Sequence, residues 1–220
     1  MSASDYEAYM GPGGIDELAP LSTIFAKVYG ARRPRRMVVL GVATGNGLEH
    51  VDLHLTGRIV GVDVNLSYLA VARQRLRRLG AALELHCADV ERVELDAGRF
   101  DLVHAALLLE FVDARVVVPR VASALAPGGA FAVVLQLPGG PDVRASGYPS
   151  VRALGDRMRL VPPEELRALA EAEGLAERRA FVVPLPTGRH YFIALYEKDG
   201  ESRESWSEIA RAVARTCGGG

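Results

Sequence analysis

Residues 37–63, MVVLGVATGNGLEHVDLHLTGRIVGVD, constrain the fold of this chain more than any other stretch. Residues 37–40 are an apolar run that stops at Gly41, and Gly41, Gly45 and Gly47 then fall within seven residues. Leu48, Val51 and Leu55 follow at helical spacing, and Gly57 closes that segment. Residues 58–62 form a second apolar run ending at Asp63, 22 positions after Gly41. The order is strand, glycine-rich turn, helix, strand, carboxylate. Glycines are needed where a nucleoside-bearing ligand lies against backbone, because a Cβ blocks the approach. An acid at the tip of the next strand can accept hydrogen bonds from both ribose hydroxyls.

The rest of the chain extends this alternation. Residues 1–14 read as an irregular arm carrying Tyr6 and Tyr9, and residues 15–29 as a helix interrupted at Pro20. Asn65 is placed to cap a helix through Leu79, with Gly80 as its stop. Residues 82–87, 100–107 and 130–137 read as strands, and residues 114–125 as a helix closed by Pro127-Gly128-Gly129. Residues 138–160 are rich in glycine, proline and polar side chains, the composition of a lid or binding loop. Pro162 and Pro163 open a helix that Gly174 stops. Residues 180–185 and 191–196, joined through Pro186-Thr187-Gly188, read as an antiparallel hairpin. A last amphipathic helix over 205–215 carries Trp206, and a Cys-Gly-Gly-Gly end should be disordered. The expected class is α/β, with a mostly parallel sheet, one antiparallel strand and helices on both faces.

A 220-residue chain suits one domain over 1–200, with 1–34 as a cap on the substrate side, 138–160 as a substrate loop and 201–220 as an appended helix and tail. The formal net charge of −1 argues against a general nucleic-acid binder. Two cysteines make no disulfide framework and no zinc site, which fits a reducing cytoplasm. The first residues lack the pattern of a secretory signal, and no apolar run reaches the length of a membrane span.

Several segments together resemble class I S-adenosylmethionine-dependent methyltransferases. They are VVLGVATGNG (38–47), GVDVN (61–65), HCADVE (86–91), FDLVHAALLLEFVD (100–113), LAPGGAFAVVLQ (125–136) and the closing hairpin. The resemblance implies a Rossmann-like seven-stranded sheet of order 3-2-1-4-5-7-6 and S-adenosyl-L-methionine as cofactor. It implies that Gly41, Ala43, Gly45 and Gly47 form the turn around the methionine and ribose. Asp63 with Val64 would hold the ribose, Asp89 with Val90 would meet adenine, and Ala105 would lie beside the reacting methyl. The chain departs from the family pattern at Val39, where an acid is usual, and at Ala43, where glycine is usual.

The glycine spacing also fits short-chain dehydrogenases. Those enzymes need a lysine four positions after a tyrosine to lower its pKa, and none of the seven tyrosines here has one. Arginines at 32–36 and 73–78 could line an RNA surface, although such runs are usually solvated faces. The fourth strand ends in HAALLLE, without the Asn/Asp-Pro-Pro-Tyr of nucleobase amino-methylating enzymes. The expected activity is therefore methyl transfer to a small-molecule acceptor. A non-catalytic cofactor-binding regulator, motivated by Val39, and an RNA methyltransferase are the alternatives, and a homodimer is left open. Glu110 is the candidate catalytic residue, placed to orient or deprotonate an acceptor, and Tyr6, Tyr9, Arg144, Ser146 and Tyr148 are candidate acceptor contacts. His104 reads as a satisfied core histidine.

Overall fold

The computed structural model describes residues 1–199. The helix expected over 205–215 and Trp206 lie outside the described residues. The strands are β1 (Arg36–Leu40), β2 (Arg58–Asp63), β3 (Leu83–Cys87), β4 (Phe100–Ala106), β5 (Leu125–Gln136), β6 (Leu175–Pro184) and β7 (His190–Lys198). They form one seven-stranded sheet of order β3-β2-β1-β4-β5-β7-β6. β1 to β5 pair in parallel, while β7 runs antiparallel to both β5 and β6. The Rossmann-like topology is the expected one.

Strand alternation sends side chains to two apolar layers. Val38, Leu40, Val60, Val62, Phe131 and Val133 belong to one. Met37, Val39, Ile59, Ala132 and Val134 belong to the other. Helices α4 (Ala114–Ala124) and α6 (Pro163–Ala172) contribute Val117, Val121 and Leu166 to the first layer. Helices α2 (Leu18–Arg32) and α3 (Leu66–Arg75) contribute Phe25, Val28 and Leu69 to the second.

The helix expected after the glycine turn does not form. Residues Leu48–His50 make a single 3-10 turn, and Val51 is already extended. The cause is tertiary. Tyr29 Oη accepts from the Asp52 amide at 3.0 Å, and the Arg78 guanidinium donates to the carbonyls of Leu48, Glu49 and Val51 at 3.2, 2.6 and 3.1 Å. Those carbonyls need no i+4 amide, and Leu48 and Val51 are buried without a helix.

Residues 1–14 contain a helix, α1 (Ala3–Met10), capped by the Ser2 side chain at the Asp5 amide. Pro20 falls in the first turn of α2, where its missing N–H costs nothing. Pro127-Gly128-Gly129 lies inside β5 as an irregularity: Phe100 pairs with Leu125, and the register resumes at Leu102 with Ala130. β6 starts earlier than its apolar residues suggest, because Glu177, Arg178 and Arg179 are strand residues on the sheet edge. Charged edge strands resist unwanted pairing. Residues 138–160 hold a 3-10 turn (Val143–Ala145) and a short helix, α5 (Pro149–Gly155).

Candidate functional site

A cavity of 340 Å³ opens at the carboxyl ends of β1, β2 and β4. Its floor includes Gly41 and Ala43 from the glycine turn, Asp63 at the end of β2 with Val64 and Asn65 beyond it, and Ala106 at the end of β4 with Leu107 beyond it. Its roof includes Met1, Tyr6, Tyr9 and Met10 from the α1 segment, and Val151 and Leu154 from α5. The carboxyl edge of a parallel sheet is where such folds bind ligands.

Asp63 organises this floor. Its Oδ2 accepts from the Ala43 amide at 2.9 Å and its Oδ1 from the Asn65 amide at 2.8 Å. One carboxylate thus ties the glycine turn to the end of β2. Burial pushes its pKa above the ordinary carboxylate range, against those two hydrogen bonds. Each oxygen keeps a second acceptor direction for a ligand. Ala43 has φ 45°, the left-handed region where glycine is easier. Its methyl occupies the site where the family pattern has glycine, and it does so at a backbone cost.

The α1 segment is fastened over the cavity by polar contacts. Arg75 Nη2 reaches Glu7 Oε2 at 2.9 Å, and the Thr44 hydroxyl donates to Glu7. Asn65 Nδ2 donates to the Met1 carbonyl at 2.8 Å, and the Ser150 hydroxyl to Asp5 at 2.7 Å. The Tyr6 and Tyr68 rings lie 5.0 Å apart at 40°, and burial raises both phenol pKa values, with Asp63 adding to the rise.

The other end of the cavity holds a buried polar cluster. Arg189 Nη1 donates to Glu17 at 3.2 Å, while its Nη2 donates to Tyr9 Oη at 3.1 Å and to the Pro141 carbonyl at 3.0 Å. The Tyr191 hydroxyl donates to Glu17 Oε2 at 2.5 Å. Burial pushes the Glu17 carboxyl up despite these partners. The Gln136 side chain also lines the cavity.

Residues 38–129, which carry this floor, match a family model described as a methyltransferase domain. The chain is similar to methyltransferases over that stretch. It is 36% identical over 93 residues to a ubiquinone biosynthesis O-methyltransferase of Coxiella burnetii, covering 41% of this chain and 40% of that one. It is 34% identical over 158 residues to a trans-aconitate 2-methyltransferase of Variovorax paradoxus, covering 71% of this chain and 54% of that one. The chain therefore spans about half, or less, of the length of the curated relatives it matches. An S-adenosylmethionine-dependent methyltransferase from Mesorhizobium loti superposes with a TM-score of 0.61 at 18% identity, over 74% of this chain and 90% of that one. That likeness concerns the fold.

Of the residues expected from the sequence, Gly41, Ala43, Asp63 and Val64 line the cavity, as do Tyr6 and Tyr9. Gly45 and Gly47 face the core instead. A Cβ on Gly45 would meet Leu76 Cδ1 at 2.6 Å, and one on Gly47 would meet Phe25 Cγ at 2.8 Å. Both also have positive φ, so packing and backbone geometry alone account for these two glycines. Ala105 is buried one residue short of the lining Ala106. Asp89 lies outside the cavity wall, and its Oδ1 accepts from the Glu91 amide at 2.9 Å. Val90 is buried in the layer under α4.

Glu110 is buried behind the wall. Its Oε1 accepts from the Gln136 amide at 2.6 Å, its Oε2 has no partner, and burial pushes its pKa up to about 7. Arg144 lines not the cavity but an adjoining groove that shares Gln136, Val143 and Met158 with it, and its side chain lies 3.5 Å from Asp156. Tyr148 packs against the cluster of Tyr9, Met10 and Val151, and Ser146 accepts from its amide at 3.2 Å. Val39 is a core residue in register with Gly61 and His104. His104 is buried edge-on to Phe25 at 5.2 Å, but its Nδ1 has no partner, so it is not the fully satisfied histidine expected. Burial lowers its pKa to about 4.

Glu17, Gln136 and Arg189 escape a reading of the sequence. Each is a lone polar residue at the end of an element, with no motif around it. A charged residue predicted to enter an apolar strand is the only local signal, and Arg189 shows it weakly.

Proposed function

We propose that this protein is an S-adenosylmethionine-dependent methyltransferase acting on a small-molecule acceptor. The observation that carries this reading is the tether of the glycine turn by Asp63, at the floor of a cavity on the carboxyl edge of the sheet. The match to the methyltransferase family model over the same segment supports it. The names of the relatives, which specify small acceptors, support the acceptor class.

The residues present fit the cofactor. Gly41 and Ala43 keep the floor low enough for close approach, and the two free acceptor directions of Asp63 suit two vicinal ribose hydroxyls. Tyr6, placed by sequence among acceptor contacts, belongs on the nucleoside side with Tyr68, because its ring lies 5.0 Å from that of Tyr68 and both line the cavity with Asp63. Asp89 follows the β3 end directly beyond Cys87, the residue in register with Asp63, and so stands where adenine would extend.

The cofactor supplies a methyl group made electrophilic by its sulfonium sulfur. The protein's task is alignment and exclusion of water. Tyr9, Met10 and Leu107 supply an apolar enclosure around the transfer point. Glu110 lies behind the wall and does not meet an acceptor in this arrangement. The buried position of Val39 offers no support for a regulator that has lost catalysis, since an apolar residue suits that core site. Nor do the arginines favour RNA: Arg75 and Arg78 are engaged with Glu7 and with backbone carbonyls.

Calorimetry with S-adenosylmethionine and S-adenosylhomocysteine, followed by transfer of a labelled methyl group to a small-acceptor panel, tests the proposal. Binding of both and label transfer are expected. No binding of either at millimolar concentration sinks it, and binding without transfer to any acceptor favours the regulator.

A further inference from the structure

The acceptor end of the cavity has a composition that selects a class of substrate. Among the described lining side chains, Arg189 is the one cation, and Glu17 and Asp63 are the anions. Arg189 is 2% exposed, and its Nη atoms face Glu17, Tyr9 Oη and the Pro141 carbonyl. Its charge is opposed at 3.2 Å by a carboxylate that is itself 1% exposed. A guanidinium so engaged cannot turn to a substrate anion without leaving Glu17 buried and unpaired, which is strongly unfavourable. With its Nη atoms engaged and its unpartnered Nε buried, Arg189 presents no accessible positive group to a polycarboxylate entering this cavity.

Gln136 differs from this cluster. It ends β5 in register with Tyr191, and its backbone amide is fixed by Glu110 at 2.6 Å. Its side-chain amide makes no hydrogen bond among the described residues, yet it lines the cavity beside Leu107, Phe111 and Met158. Gln136 is 8% exposed, so its amide opens to the cavity, where a ligand or water can complete it. It is neutral, and it both donates and accepts.

We propose that Gln136 is the acceptor-orienting residue, and that the acceptor is a largely apolar molecule bearing a hydroxyl or carbonyl group, with Arg189 serving Glu17 and not a substrate anion. This rests on the methyltransferase reading above. The Gln136 amide would bond to that one polar group while the apolar walls bury the remainder. Specificity follows from the penalty an unmatched amide imposes on an acceptor lacking such a group.

The experiment separates this inference from the reading it rests on. S-adenosylhomocysteine is titrated first, into wild type and Gln136→Met, and equal affinities are expected because β1 and β4 lie between the β2 end that carries Asp63 and the β5 end that carries Gln136. The loaded proteins are then titrated with an alkyl-substituted phenol and with a tricarboxylate. The expected result is phenol binding that weakens about tenfold in Gln136→Met, with no tricarboxylate binding to either protein. Tricarboxylate binding in preference to the phenol, or equal phenol affinity in wild type and Gln136→Met, overturns the inference and leaves the methyltransferase reading standing. Failure of S-adenosylhomocysteine to bind wild type overturns both. Circular dichroism of the variant shows that a loss belongs to the site and not to folding.

Discussion

Replacing Asp63 should disturb two things at once, and the structure sets the size of each. Asp63→Ala removes two hydrogen bonds, of 2.9 and 2.8 Å, that hold the Ala43 and Asn65 amides. A bond to a charged acceptor is worth about 1.5–3 kcal/mol net. The carboxylate is 9% exposed and its pKa is raised by burial, so deleting it also removes a desolvation cost. The two effects oppose, and the net loss of stability should be about 1–3 kcal/mol, not the sum of two full bonds. The cofactor loses its ribose partner as well, for a further 1–3 kcal/mol or roughly five- to 150-fold in affinity. Urea denaturation reads the first quantity and calorimetry with S-adenosylhomocysteine the second. Asp63→Asn should fall between, because one amide oxygen serves one N–H while its NH₂ opposes the other. A folded Asp63→Ala protein with cofactor affinity within about twofold of wild type would falsify the assignment of the ribose to this carboxylate.

The remaining predictions concern backbone strain and buried charge. Ala43→Gly removes a Cβ from φ 45°, which costs about 1–2 kcal/mol, against roughly 0.5–1 kcal/mol of added chain entropy, so stability should rise by up to about 1.5 kcal/mol without loss of cofactor affinity. Lower stability in urea denaturation would show that the Ala43 methyl packs usefully. Glu110 and His104 should give opposite pH dependences. The raised Glu110 pKa means the folded state holds a proton that the unfolded state releases, so its contribution falls as pH rises from about 4.5 to about 7, by about 3 kcal/mol. The lowered His104 pKa means that its contribution is present above about 6.5 and is lost as pH falls toward about 4, by a similar amount. The two nearly cancel in wild type, and Glu110→Gln should reveal a stability that climbs with pH through this window. A flat profile in Glu110→Gln, from denaturation at a series of pH values, contradicts the burial of a neutral His104.

Much of the fold can be read from local pattern, because the pattern is the cause. Apolar runs of strand length bounded by glycine and proline produce β1, β2 and β4, and the alternation within them assigns each side chain to one of two layers. Asp63 was legible because its role depends on its place at a strand tip, a fixed distance beyond a turn. The first glycine of that turn faces the cavity, but Gly45 and Gly47 owe their identity to Leu76 and Phe25, residues remote in sequence. Spacing alone cannot distinguish a glycine required by a ligand from one required by a neighbouring helix.

Where long-range contacts compete with local preference, the pattern misleads. Residues 48–55 have helical periodicity, yet Tyr29 and Arg78 satisfy their backbone groups first and a single 3-10 turn results. The acceptor end of the cavity is the extreme case. Glu17, Gln136 and Arg189 come from a helix cap, a strand end and a hairpin, and no short segment contains two of them. Strand pairing between β5 and β7 brings 136 beside 191, and the Glu17 carboxylate is drawn to Arg189 once both are buried. Sequence carries the strand–turn–strand floor because its geometry is set within some thirty residues. The charge balance of the acceptor end is decided only when residues more than a hundred positions apart are packed together, since the energy of a buried charge depends on what surrounds it in space.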